Sequence, residues 1–161
     1  MTQTLLFLTS TLGLLATDTY GIAINIKDGD TFNVRTADQK VLTIRIAAID
    51  APERQQPFGS AAREALSARI LDRTVQVQWT KRDRDQRLVG KVNVGLRDIG
   101  LEMIRDGAAW HATHYMREQS AKDRALYSEA EVDARRGKYG LWKSENPVPP
   151  WEFRARKRKV Q

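Results

Sequence analysis

The sequence contains no cysteine and only two histidines, His111 and His114. Without thiols there is no disulfide framework, no thiolate zinc site, no iron–sulfur cluster and no cysteine nucleophile. The two imidazoles have no further ligand partners nearby in sequence and read as surface or partly buried side chains. Chemistry in this chain has to rest on carboxylates and arginines. No internal repeat, collagen period or coiled-coil heptad is present, and no apolar run reaches the ~20 residues that span a bilayer. That argues against a permanent transmembrane helix and against stable membrane association.

What is present is positive charge. The chain has 161 residues, with 27 Lys and Arg against 20 Asp and Glu for a net +7, a balance that points to polyanionic partners, nucleic acid before anionic membrane. Residues 152–161 hold Arg154, Arg156, Lys157, Arg158 and Lys159 against the single acid Glu152. More than half of the excess is therefore a basic C-terminal tail, which reads as either a solvated tail or a nucleic-acid contact. This length suits one domain, placed at residues 18–151. It is expected to act as a monomer. The uncharged residues 1–17, with Leu5-Leu6-Phe7-Leu8 and Leu12, Leu14, Leu15 and Ala16, read as an apolar leader of the signal-peptide kind, so the expected location is secreted or periplasmic. If the leader is no signal, the alternative is cytoplasmic.

Ile22, Ile24 and Ile26 alternate before the turn at Asp28-Gly29, and Phe32 and Val34 follow, which predicts a hairpin. Leu42, Ile44, Ile46 and Ala48 alternate again, which puts Arg45 on the opposite face. Thr74–Trp79 and Leu88–Val94 complete five strands. Helices are predicted from about Gly59 to Leu71 (Ala61, Ala65, Leu66 and Ile70 on one side), Ile99 to Asp106, and Glu118 to Arg136 with a stripe at Ala121, Ala125, Leu126, Ala130 and Ala134. Gly107 is placed as a left-handed helix stop. Pro147-Val148-Pro149-Pro150-Trp151 predicts an extended strap. The fold class is mainly β with α (α+β), a five-stranded OB-fold barrel with about three helices.

Three patches in order, Asp28-Gly29-Asp30-Thr31, Ile44-Arg45-Ile46-Ala47-Ala48-Ile49-Asp50-Ala51-Pro52-Glu53 and Asp83-Arg84-Asp85-Gln86-Arg87-Leu88-Val89-Gly90, together resemble the staphylococcal nuclease (thermonuclease) family. Leu101–Trp110, Gly140-Leu141-Trp142 and Pro149-Pro150-Trp151-Glu152 extend the resemblance over roughly residues 20–154. It implies a calcium-dependent phosphodiesterase, an endonuclease that hydrolyses DNA and RNA to leave 3′-phosphate ends. By the same resemblance Asp30, Asp50 and the carbonyl of Ala51 hold Ca²⁺, Glu53 is the general base, and Arg45 and Arg87 bind the phosphoryl group.

The residue types fit those roles on physical grounds. Clustered carboxylates suit a hard cation, a carboxylate within reach of water suits a base, and guanidinium forks match phosphate oxygens. Other readings remain: turn chemistry for the aspartates, a structural ion pair for Arg45 or Arg87, and an exposed loop acid for Glu53. At the level of function, the alternative is a catalytically inactive OB-type nucleic-acid-binding module. Two departures from the family affect substrate grip: Asp85-Gln86-Arg87 stands where Tyr-Gly-Arg is frequent, and Thr113 replaces a tyrosine although Tyr115 is kept. Trp79, Trp110, Trp142 and Trp151 read as core and strap anchors rather than stacking platforms.

Overall fold

A computed structural model describes residues 16–159. The leader assigned to residues 1–17 falls almost wholly outside the described residues. Strands β1 (Thr17–Ile26), β2 (Thr31–Arg35) and β3 (Val41–Ile46) form an antiparallel meander. The two-residue β4 (Ile49–Asp50) and helix α1 (Gly59–Ile70) lead to β5 (Thr74–Arg82) and β6 (Leu88–Val94), which pair antiparallel with each other. β5 also pairs with β1, and β6 pairs in parallel with β3, Ile44 opposite Leu88 and Arg45 opposite Val89. The sheet is thereby closed into a five-stranded barrel, as the sequence predicts. Closure leaves no open edge across the five main strands.

The remaining elements cap the barrel. β7 (Arg97–Asp98) continues into α2 (Ile99–Arg105), and β8 (Trp110–His111) pairs antiparallel with β4, Asp50 opposite Trp110. A 3₁₀ turn (Thr113–Glu118), α3 (Ala121–Arg136), a second 3₁₀ turn (Gly140–Lys143) and α4 (Pro150–Lys159) follow. Phe32, Ile44, Ile46, Leu66, Ile70, Leu88, Met103 and Ile104 fill the barrel and the helices over it. A second apolar cluster of Trp110, Ala134, Leu141 and Trp142, with Trp151 packed against it, holds the C-terminal part.

Several local expectations shift. A bulge between Ala23 and Asn25 changes the register of β1, so Ala23 and Ile26 enter the core while Ile22 is exposed. On α1 the buried positions are Gly59, Ala62, Leu66 and Ile70, at spacings of three and four, with Ala61 exposed. Ser120 caps α3 by accepting from the Asp123 N–H at 3.0 Å, which starts that helix later than predicted. Its buried face is Tyr127, Ala130 and Ala134, while Ala121 and Ala125 are exposed. His111 is fully buried, beyond the surface or partly buried setting expected, between Gln119 (2.8 Å) and Ser128 (3.3 Å). Gly107 does adopt the left-handed conformation, φ 65°.

The largest difference is α4. Residues 147–149 are irregular, but Pro150 opens a helix instead of prolonging a strap, and residues 152–159 of the basic run lie on it. Proline is tolerated in a first helical turn, where its missing N–H has no intrahelical partner to lose and its φ is already helical.

Candidate active site

A cleft of about 660 Å³ opens beside the β3–β6 closure, and Asp30, Arg45, Asp50, Ala51, Glu53 and Arg87 all line it. Each reaches it by a different local device. The Asp28 side chain accepts from the Asp30 N–H at 3.0 Å, shaping the turn between β1 and β2. Gly29 lets that turn pack closely: a Cβ there would stand 2.6 Å from the Ala51 Cβ and 2.7 Å from the Ala62 Cβ. Asp30 is thereby brought against Ala51, whose N–H donates to Asp30 Oδ2 at 2.7 Å. The Thr31 hydroxyl donates to Asp30 Oδ1 at 2.9 Å.

Arg45 projects from β3 on the face opposite Ile44 and Ile46. Its Nη1 donates at 3.0 Å to the carbonyls of both Ile46 and Ile49 and bridges the reversal between β3 and β4. Ala48 sits in that reversal with φ 65°, a left-handed conformation that costs a non-glycine residue energy and that the surrounding packing maintains. The same guanidinium lies 3.0 Å from Asp30 Oδ2 and 3.2 Å from Asp50 Oδ1. One cation therefore bridges the two buried carboxylates, and the structural ion pair weighed for Arg45 is real. It coexists with a place in the cleft wall.

Burial pushes the Asp30 carboxyl up to about 6, against the opposing pull of Arg45 and with added repulsion from Asp28. The pocket is thus one in which added positive charge is favoured. Its donors are oxygens, the kind a hard cation takes. Among the described residues no group of three or more acidic, imidazole or thiolate side chains is arranged to hold a metal; the two carboxylates buried at the cleft are Asp30 and Asp50.

Glu53 follows Pro52 in the loop before α1. Its N–H donates to Gln56 Oε1 at 3.1 Å and its carbonyl accepts from the Gln56 N–H at 2.8 Å, which pins the loop. Gln56 is buried, and its Nε2 donates to the Val148 carbonyl at 2.5 Å. Arg87 immediately precedes β6 and is held by Asp83, Nε to Oδ2 at 2.7 Å, with Asp85 at 3.4 Å. Asp85 does bring negative charge into the cleft, as its position in sequence suggests. Tyr115 lines the cleft under Lys81, whose Nζ is 5.7 Å from the ring centroid. Thr113 is exposed and does not line the cleft.

The sequence reading misses Arg154. Its Nη1 donates to Glu53 Oε1 at 2.7 Å and to Asp50 Oδ1 at 3.1 Å, and its Nη2 to Asp50 Oδ2 at 2.7 Å. These bonds raise the guanidinium's pKa still further above its ordinary value, Asp50 being the largest cause. Its placement follows from tertiary packing and helical spacing that the expected extended strap did not offer. Trp151 packs edge-on to Trp110 at 5.6 Å, Trp110 is the strand partner of Asp50, and Arg154 lies three residues beyond Trp151 on one helix face.

A family model described as "Staphylococcal nuclease homologue" matches residues 43–144. An "Uncharacterized endonuclease" of Escherichia coli O157:H7 is 36% identical over 146 residues, covering 89% of this chain and 90% of that protein. A "Micrococcal nuclease" of Shigella flexneri is 35% identical, covering 85% and 81% respectively. A further "Uncharacterized endonuclease", from Haemophilus influenzae, is 32% identical over 84% of this chain and 72% of its own length. With the closed barrel and the convergence of acids and arginines in one cleft, these matches establish that the chain belongs to the staphylococcal nuclease family and is a nuclease.

Proposed function

We propose that the chain is a metal-dependent endonuclease that hydrolyses phosphodiester bonds of both DNA and RNA, leaves 3′-phosphate ends, and uses Ca²⁺. The observation that carries this reading is the meeting of Asp30, Arg45, Asp50, Glu53 and Arg87, from three separate stretches of chain, in one cleft. Asp30, Asp50 and the Ala51 carbonyl would hold the ion, which when bound supplies positive charge beside a phosphoryl oxygen.

The chain's own residues do the rest. Glu53, 37% exposed in its side chain, accepts a proton from water entering the cleft. The hydroxide so formed attacks phosphorus in line, and the bond to the 5′-oxygen breaks. Arg45 and Arg87 donate to the phosphoryl oxygens as charge builds on them, a preorganised contribution that needs no rearrangement of solvent. Seven carboxylates and five cationic side chains line the cleft. That excess of acid repels a polyanion unless a cation intervenes, which favours hydrolysis over the alternative of a binding-only module. Export to a periplasm or the medium, and action as a monomer, belong to the same proposal.

Cleavage of a fluorescent oligonucleotide with Ca²⁺, and again with a chelator, tests this directly for DNA and RNA. Chelator-sensitive cleavage of both is expected, and the Glu53→Gln variant should bind substrate while turning over about 10²–10⁴-fold more slowly. Binding without chelator-sensitive cleavage would establish the module instead.

A further inference from the structure

The motifs that carry the family resemblance supply Arg45 and Arg87, yet the guanidinium bonded to Glu53 comes from residue 154. Arg154 occupies both oxygens of Asp50 and one oxygen of Glu53. Its arrival there is built into the fold. Trp151 docks on Trp110, Gln56 ties the Glu53 loop to Val148 just before α4, and Lys157 Nζ donates to Gln55 Oε1 at 3.1 Å. The matched family segment ends before α4 begins.

In this position Arg154 opposes what the proposed reaction requires. A guanidinium does not lose its charge at any working pH, and a divalent ion on Asp50 competes with it for the same oxygens. Glu53 Oε1, needed for the proton of water, is also taken. Arg45 already contacts Asp50, so an ion arriving there meets two positive groups. The Arg154 side chain is 39% exposed, so it can change partner while Trp151 keeps α4 docked. The partner that a polynucleotide brings is a phosphate, which fits the same planar fork as a carboxylate.

Resting on the reading of the site given above, we propose that Arg154 is a third substrate-binding arginine, parked on Asp50 and Glu53 before substrate binds and transferred to a phosphate of the polynucleotide when a divalent cation takes Asp50. The exchange breaks no covalent bond. It returns Glu53 to water and gives Asp50 to the ion, so each ligand promotes binding of the other. Arg156, Lys157, Arg158 and Lys159 follow on the same helix and continue the positive charge away from the cleft.

Two measurements on the full chain test this, made on the parent, Arg154→Gln and Arg154→Lys. In calorimetric titration with CaCl₂ and no nucleic acid, Arg154→Gln should bind Ca²⁺ about tenfold more tightly, since a charge-assisted competitor is gone. In steady-state cleavage of a labelled single-stranded DNA at saturating Ca²⁺, the same variant should show KM raised about tenfold, and Arg154→Lys should recover part of it. A merely structural role would leave Ca²⁺ affinity unchanged or weaken it, and a simple plug would lower KM. Either result overturns the exchange while leaving the nuclease reading intact. A parent chain that neither binds Ca²⁺ nor cleaves would refute the site reading, and this proposal with it.

Discussion

Asp30 makes the stability of this chain depend on pH in a direction opposite to that of most salt-bridged carboxylates. In the folded chain its carboxyl titrates at about 6 rather than at 3.8. Burial is the largest cause. Between these values the native state keeps a proton that the unfolded chain has released, so stability is fully present below 3.8 and is lost as pH rises through 6. A shift of about two units corresponds to about 3 kcal/mol. Asp30→Asn is neutral throughout and similar in shape, so the parent-minus-variant difference in unfolding free energy isolates the group. Urea unfolding in chelator, repeated from pH 4 to pH 7.5, should show the parent losing up to about 3 kcal/mol relative to the variant as pH rises. Saturating Ca²⁺ should restore about 2.7 kcal/mol to the parent at pH 7 when present at a hundredfold its Kd, and nothing to the variant. A difference that stays flat across this range, or that moves in the parent's favour, would refute the reasoning.

Arg45→Lys removes the fork that joins two carbonyls to two carboxylates. It should lower kcat/KM by about 10²–10³-fold and unfolding free energy by about 1–3 kcal/mol, read by kinetics and urea midpoint. Gly29→Ala drives a Cβ into Ala51 and Ala62; overpacking of this kind costs about 1–3 kcal/mol and should also weaken Ca²⁺ binding measured by calorimetry. Trp151→Ala detaches α4 from Trp110, so trypsin should cut at Arg154, Arg156 and Arg158 faster than in the parent while the barrel keeps its thermal midpoint. Tyr127→Phe deletes the hydroxyl that donates to Asp98 at 2.8 Å and should cost about 0.5–1.5 kcal/mol in chemical denaturation without changing turnover.

The strands were legible where alternation is uninterrupted. Leu42, Ile44 and Ile46 announce β3, and the residues between them announce Arg45 as facing elsewhere. The bulge in β1 was not legible, because one extra residue moves Ile22 out and Ala23 in without altering the apolar character of the segment. Ala61 and Ala62 have equal claims on a helical stripe until the position of the barrel surface is known. His111 reads as a surface or partly buried side chain because no further ligands accompany it in sequence, yet Gln119 and Ser128, on later segments, partner both ring nitrogens and allow its full burial.

By itself the sequence determined the chemical vocabulary. Without thiols and with two histidines, only carboxylates and arginines were left, and motifs at fixed spacing placed them at the ends of strands. Tertiary structure decided which of them meet. The parallel closure of β3 on β6 sets Arg87 near Arg45, and the packing of Trp151 on Trp110 sends Arg154 to Asp50 and Glu53. The physical reason is that spacing and periodicity record neighbours within a turn or a pleat. Contacts across a hundred residues are chosen by apolar surfaces finding each other, and Arg154 goes where that packing carries it.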